Sequence, residues 1–534
     1  MKYYPMQMHL HSIHQPGASM ESHIYNAYVL GMNYIRFTDH DTRTGPEKKR
    51  VNSFDFGMGE LSYENKAGVR ISLEPIGEGS LEIKDGCAHR SGNGKFGLTL
   101  VTSGKKHTRA MLSDVTLTLG LKHEMRANSR IIVDILLSQR PPEHKEAHLY
   151  YVIGEPLVAL PELTAVINID TREDGVYRLY VSGDIAEHPE VGGLDNVFGG
   201  ATVLLEGEGS FTLDKLEIES IYGFNDLILR QRALADKIGE RYGVKPFVTT
   251  EISGAGQHKN CFSTSVPVLD YSKGKITEEE AVAHVLAHGG IFAYNHPFES
   301  PKYKRIPFTR EELDEIVAFE SERLIACRVL GASLTEVGFP SGRGLFTLDD
   351  YLRLWDNLSL AGIFITGYGD SDSHKSHTAW FSRNNFASWI GVDESLTYPI
   401  SEDEFNAAMV RGNVYLGDPV LLKGRVSLTC LDCEMGAVIK HAGEEMAVNI
   451  HLEELPSGAT VRIIRSGNVA LTEEASDSTY KKDYTFTPAS DIEFVRVEAY
   501  DKDGRCFMLT NPIYFVSEKS GIEIPEERLV MTKK

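Results

Sequence analysis

Two histidines, His9 and His11, stand two residues apart in the stretch MHLHS. Side chains alternate between faces along a strand, so both imidazoles point the same way and make half of a metal site. The plainer alternative is one buried and one solvated histidine. Thr38, Asp39, His40 and Asp41 end a second strand, and Glu251 ends a third, with His258 seven residues on across a turn containing Gly254 and Gly256. Asn295, His296 and Pro297 close a fourth, and Gly369 to His374 a fifth, where Asp372 and His374 repeat the two-residue spacing. Adjacent strand ends of a parallel barrel open onto one face, where such barrels keep their active sites. Any one motif is an ordinary polar strand end. Five in succession, each delivering His, Asp or Glu to a barrel mouth, require partners for those groups.

The elements that must position these residues follow from local patterning. Met6 to His11 reads as extended, Ser19 caps a helix from Met20 to Leu30 that stops at Gly31, and Tyr34 to Thr38 is a strand. This strand-helix-strand start predicts parallel pairing. From Val51 to Glu219 the texture changes to short alternating stretches such as Val69 to Leu73 and Ile131 to Leu136, as in a β-sandwich or jelly-roll. Helical spacing returns at Phe224 to Tyr242, followed by a strand at Pro246 to Ile252, so the β-rich block interrupts an α/β domain. Thr277 and Glu280 form a capping box. Ile291 to Asn295 reads as a buried strand; further helices fit Arg310 to Phe319, Leu348 to Ser359 and Glu402 to Val410, with strands at Leu324 to Val329 and Ile363 to Gly367. After Pro419 the chain is β-rich again. The expected fold is α/β, a barrel of parallel strands ringed by helices (1–50 and 220–419), with an inserted sandwich (51–219) and a second, smaller one (420–534).

Composition bounds the function. In 534 residues, 76 acidic against 55 basic side chains give a net charge of -21, so the surface repels nucleic acid and anionic membranes, although metals in a pocket can reverse that sign locally. No apolar run approaches the roughly 18 residues of a membrane span. Six cysteines are too few for a disulfide framework; only Cys430 and Cys433 form a CxxC, and without a second pair they read as two reduced thiols rather than a zinc ribbon. The first residues lack a secretory pattern, and a reducing cytoplasm is the expected compartment.

Taken in order, HLHS (9–12), TDHD (38–41), the Glu of TTEIS (249–253) with a downstream His, NHP (295–297) and SDSH (371–374) resemble the motifs of the polymerase and histidinol phosphatase (PHP) superfamily of metal-dependent phosphoesterases. The resemblance covers roughly 250 residues and leaves out the insertion; the final segment, VRVEAYDKDGRCFMLTNPIYF, looks similar to the sandwich closing the carbaryl-hydrolase-like branch. It implies a distorted (β/α)7 TIM-like barrel holding two to three divalent ions. On this reading His9, His11, Glu251 and Asp372 hold one ion, Glu251 bridges to a second held by His258 and His296, and His40 and His374 contribute to a third. The family's further ligand after the HxH falls here on Pro16 and Gly17, and His14 stands in as a substitute. A His and carboxylate set with no thiolate favours Zn, Mn or Fe.

Metal-activated water would be the nucleophile, so no side chain need become phosphorylated. Asp39 would orient a ligand imidazole, or else simply cap a strand end. Arg43 would reach a substrate phosphate and His377 would protonate a leaving group; the plain alternative for both is a solvated loop residue. His284 and His288, four apart on a helix, lack the glutamate of HExxH and read as a solvated face.

The leading expectation is therefore hydrolysis of a small phosphate ester. The alternatives are a non-phosphate ester or carbamate, or a carbohydrate-binding protein with structural metals. In the last case Tyr150, Tyr151, Tyr177, Tyr180 and Phe198 of the insertion would contact glycan, although aromatics in sandwich strands are commonly core. A nuclease acting on long polymers conflicts with the acidic surface. The insertion enters just after TDHD, which places it to act as a lid.

Overall fold

The computed structural model describes residues 1–12, 19–41, 48–64, 70–103, 115–191, 199–222, 224–271, 274–298, 308–338, 346–374 and 386–530. The chain is mixed α/β and sheet-rich, with several sheets. β1 (Lys2–Gln7), α1 (Met20–Val29) and β2 (Tyr34–His40) open it, with Ser19 capping α1 by accepting from Ser22 N at 3.2 Å. β1 and β2 are parallel. α2 (Phe224–Tyr242) leads into β3 (Lys245–Ile252), parallel to β2 in a register that sets Glu251 opposite His40. The short β4 (Lys259–Cys261) turns back antiparallel to β3 and to β5 (Phe292–Tyr294), with α3 (Glu278–Ala287) between them behind its Thr277–Glu280 capping box. α4 (Arg310–Ala326), β6 (Leu334–Gly338), α5 (Leu348–Leu360) and β7 (Thr366–Gly369) continue in parallel alternation from β5.

On the other flank β1 pairs antiparallel with β8 (Ala387–Val392), Lys2 lying opposite Val392. After α6 (Glu402–Arg411), β9 (Val414–Gly417) pairs antiparallel with β8. The expectation of parallel strands throughout is thus corrected at β4, β8 and β9. The two margins of this α/β region meet: Ser388 Oγ on β8 accepts from Gly369 N (3.0 Å) and donates to Gly369 O (2.9 Å), and Leu10 bridges to Ser373 in parallel.

A second correction concerns Leu324 to Val329, expected as a strand. The helix that begins at the Thr309–Glu312 capping box keeps its buried stripe through Leu313, Val317 and Leu324, so it runs seven residues past Phe319. Arg328, Val329 and Leu330 then adopt φ of 46°, 51° and 54°, which reverses the chain into β6.

Residues 48–222 build an eleven-stranded sheet around the long strand Gly200–Tyr222, whose neighbours include Cys87–Ser103, Val115–Met125 and Arg130–Arg140. Its core is self-contained, with Leu98, Ile131, Val133, Leu149 and Val203 buried beside the aromatic Phe96, Tyr151 and Phe211. One short helix, Val181–Ala186, interrupts the extended texture. The insertion docks through charge: Glu21 of α1, 3% exposed, pairs with Arg140 from the insertion and with Arg241 of α2 (2.6 Å), and accepts from Tyr242 Oη (2.9 Å).

The sheet continues past residue 419, because β9 pairs with Cys506–Thr510 and through it with Ile492–Tyr500 and Ile513–Ser517. Val426–Cys430, Met446–Leu452 and Tyr480–Phe486 form a separate sheet that shares a core with these strands through Leu428, Ile450, Val497 and Phe515. Among the described residues no helix is long and apolar enough to cross a membrane.

Candidate metal centre

Glu251, fully buried at the end of β3, is the hub. Its Oε1 lies 3.4 Å from His9 Nε2, 3.1 Å from His258 Nδ1 and 3.5 Å from His296 Nε2; its Oε2 lies 2.5 Å from His40 Nδ1 and 3.9 Å from His11 Nε2. Asp372 is a second hub. Its Oδ1 lies 2.9 Å from His11 Nε2 and 3.4 Å from both His9 Nε2 and His374 Nδ1, with Oδ2 3.8 Å from His296 Nε2. All eight of these side chains come from the motifs singled out in the sequence. β-strand register explains the first half of the set: β1, β2 and β3 are adjacent and parallel, Glu251 lies opposite His40, and the chain running on from β1 stays beside β2, where Thr38 N donates to Leu10 O between His9 and His11 (2.9 Å).

The tight groupings divide differently from the sequence-based partition. His296 gathers with His9 and Asp372, and His40 with Glu251 and His258; His9, His11 and Glu251 form one further triad and His11, His40 and His374 another. Exposure runs across the cluster: His9, His11 and Glu251 are closed off, whereas the side chains of His40, His374 and His258 are 15%, 22% and 36% exposed and line its open side.

Two acidic residues that sequence reasoning missed stand behind the imidazoles. Glu336 of β6 lies 2.5 Å from His296 Nδ1 through Oε2, the same oxygen that accepts from His296 N at 2.6 Å, and its Oε1 lies 3.9 Å from His9 Nδ1. Asp370 Oδ2 lies 3.7 Å from the same His9 nitrogen. The misplaced strand hid Glu336, because a β6 drawn at Leu324 to Val329 ends without a carboxylate. A buried Glu in LTEVG, with apolar residues on both sides, was the available signal. Asp41, named in the TDHD strand end but given no role there, is buried and accepts from Ser253 N (2.9 Å), Gly254 N (3.3 Å) and Tyr271 Oη, tying β2 to the turn that carries His258. Gly256 in that turn has φ of +77°, and a Cβ there would meet Glu278 at 2.8 Å.

Charge is distributed to match. Burial pushes Glu251 up, but the charge on His9 and the closeness of His258, His296 and His40 outweigh it and hold the carboxyl well below the usual range. Asp372 is likewise driven up by burial and held well down by His374 and His9. Asp370 goes the other way, raised well above the usual carboxylate range by burial and the charge of Glu336. His11 is held down by burial and the charge of His374.

Donor chemistry and geometry fit a divalent cation. The set is nitrogen and oxygen only. His9 Nδ1, Glu336 Oε1 and Asp370 Oδ2 are buried and make no hydrogen bond among the described residues, and Glu251 Oε2 accepts no well-formed one. Like groups crowded in a dry site are stable when an ion or proton is shared between them. His296 and Asp372 both sit at φ of +42°, an uncommon conformation for non-glycine residues that clusters at functional sites. Surrounding bonds hold them there: Gln257 Nε2 donates to His296 O (2.7 Å), and Asp372 N donates to Asp370 Oδ1 (3.1 Å).

Other expected residues fall elsewhere. His14, Arg43, His377 and Phe198 lie outside the described residues. Asp39 is committed to strand-end contacts, accepting from Ser12 N (2.8 Å), Ser12 Oγ (2.7 Å) and Gln231 Nε2 (3.1 Å), with His11 Nδ1 at 3.9 Å. This is chiefly the strand-end cap. His284 and His288 turn to backbone carbonyls, Pro267 O and His284 O, each at 2.7 Å. In the insertion Tyr151 is core, donating to Asp184 Oδ2 at 2.5 Å, whereas Tyr180 is 52% exposed and Tyr150 and Tyr177 are half-buried. All six cysteines are free thiols.

No protein-family model matches the chain, and no curated protein matches it. Solved structures with partial similarity include a metagenome-derived family 12 endoglucanase (10% identity, 33% of this chain and 99% of that one, TM-score 0.24). Endoglucanase Cel12A from Rhodothermus marinus is similar at 12% identity over 33% of this chain and 99% of its own, TM-score 0.22. A loop-swap mutant of Necallimastix patriciarum Xyn11A reaches 13% identity over 32% and 96%, TM-score 0.19. Overlaps this slight do not bear on how the chain works.

Proposed function

We propose that the chain is a metal-dependent hydrolase of a small phosphate ester, related to the PHP superfamily, with its α/β region forming a distorted (β/α)7 barrel. The observation that carries this reading is the ring of five histidines within 3.9 Å of the buried Glu251, with Asp372 facing three of them and His374 besides. The junction of β7 and β8 at Ser388 and Gly369 supports the barrel. His9, His11, Glu251 and Asp372 would hold one ion; Glu251 with His258, His40 and His296 would hold a second, and His40 and His374 would contribute to a third.

When bound there, divalent ions would supply the acidity that makes water a nucleophile at neutral pH and positive charge for the ester oxygens. The chain's own part is orientation and charge. Glu336 engages Nδ1 of His296 and so leaves Nε2 facing Glu251 and Asp372. Two deprotonated carboxylates in a dry cluster repel an anionic ester until cations neutralise them, which makes turnover depend on metal. Substrate approaches from the open side, past His40, His258 and His374.

The test is elemental analysis of protein purified without added metal, together with hydrolysis of p-nitrophenyl phosphate and its bis ester by the wild type and Glu251→Ala. Two or three ions per chain and turnover that falls at least 100-fold in the variant are expected. Bound metal without phosphate-ester turnover would move the reading to a non-phosphate ester or carbamate, and a chain that takes up no metal on reconstitution would end it.

A further inference from the structure

A cavity of about 660 Å³ lies at the far end of β1 from His9 and His11, where the α/β sheet meets the C-terminal strands. Its volume is within the roughly 300–1,000 Å³ typical of small-molecule sites. Three aromatic side chains from adjacent strands form one wall: Tyr3 of β1, Trp389 of β8 and Tyr415 of β9. Trp389 and Tyr415 stack at 5.5 Å and 12°, and Tyr3 tilts against Tyr415 at 4.9 Å. Their alignment follows from register, since Trp389 is opposite both Pro5 and Tyr415. Lys423 and Arg425, both exposed, also line the cavity. Arg425 makes no ion pair among the described residues, and Lys423 only donates to Pro419 O at 2.7 Å. The carboxylates nearby are engaged: Glu394 pairs with the Met1 ammonium at 2.9 Å, and Glu434 accepts from Tyr3 Oη at 3.5 Å. In a chain of net charge -21, an aromatic wall beside two exposed cations is a local reversal of sign.

We propose that this cavity binds a planar aromatic ring carrying a phosphate, of the nucleoside monophosphate class, at a site separate from the metal centre. The ring lies along the edges of Tyr3, Trp389 and Tyr415, and the phosphate meets Arg425 and Lys423. The inference stands whether or not the metal centre hydrolyses phosphate esters.

Adenosine monophosphate is the probe, titrated calorimetrically into the full chain carrying Glu251→Ala so that the metal centre neither binds nor consumes it. One equivalent should bind with a change in Trp389 fluorescence. Adding Arg425→Glu, at an exposed position that leaves the fold intact, should weaken binding at least tenfold, and Lys423→Glu should weaken it as well. Adenosine without the phosphate should bind at least tenfold more weakly than the monophosphate. Absence of binding, binding indifferent to both charge reversals, or equal affinity for adenosine would overturn the proposal. Repeating the titration on chelator-treated wild type separates a damaged Glu251→Ala chain from a cavity that binds nothing.

Discussion

Glu336 shows what one side chain behind a ligand can do. Its carboxylate meets the His296 ring nitrogen at 2.5 Å and the backbone N–H of the same residue at 2.6 Å, fixing both the tautomer and the strained backbone of a proposed ligand. Removing such a partner commonly weakens metal binding by about 10–100-fold. Glu336→Gln, which keeps the shape and removes the charge, is therefore expected to lower metal affinity by about that factor in a competition titration while the melting temperature of the chelated protein changes little. Unchanged affinity would mean that Glu336 only fills space. Asp39, the positioning carboxylate expected from the sequence, is spent on Ser12 and Gln231 and should behave as a structural residue.

Asp350 illustrates the same coupling in an element. It closes the capping box of α5, accepting from Thr347 N at 2.8 Å, and pairs with Arg310 and with Arg353 at 2.6 Å. Burial pushes its carboxyl up, yet Arg310, the Thr347 amide and Arg353 bring it down to about 2. A depressed carboxyl stabilises the fold above its unfolded pKa of about 3.9, and that contribution fades as pH falls through about 2. Asp350→Asn should cost about 1 kcal/mol in urea unfolding at pH 7, with the gap to wild type closing near pH 2. A gap independent of pH would show that charge is not the cause. Elements like α5, with a capping signal and a continuous buried stripe, were legible in the sequence, as were α1, α2 and α3. The end of α4 was not, because no glycine or proline marks it and the reversal is made by Arg328, Val329 and Leu330 in conformations their types disfavour. Antiparallel β4 and β8 were equally hidden, since pairing direction in short buried strands leaves no mark on which residues are apolar. The candidate ligand set was legible because nearly all of it sits in contiguous motifs of a few residues, with His258 seven residues after Glu251, whereas Glu336 has no ligand-type neighbour in sequence to announce it.

At the scale of the whole molecule, the C-terminal strands are tied to the α/β region by a shared sheet and by buried cations, Arg496 among them. Arg496, 2% exposed, donates through Nε and Nη2 to Asp356 of α5 (2.9 Å each) and through Nη1 to Glu498 (2.5 Å). Breaking a buried pair strands its partner charges and costs about 3–5 kcal/mol. Arg496→Met is expected to lose that much in denaturant unfolding, and a loss under about 1 kcal/mol would show that the pair is not a clamp.

The pairing of β1 with β8 also bears on the order in which the molecule is made. Lys2 meets Val392, so the strand carrying the approach to His9 and His11 lacks one neighbour until about 390 further residues have left the ribosome. At about 5–20 residues per second that wait is on the order of 20–80 seconds. The inserted sheet, whose strands all lie between residues 48 and 222, is complete far sooner and waits as a finished body beside an unfinished one. Each nascent chain therefore holds exposed histidines and carboxylates for most of its synthesis. On the proposed reading the donors run from His9 to His374, so all are delivered before β8, and it is the closing of β8 against β1 that would turn a loose set of donors into a fixed one.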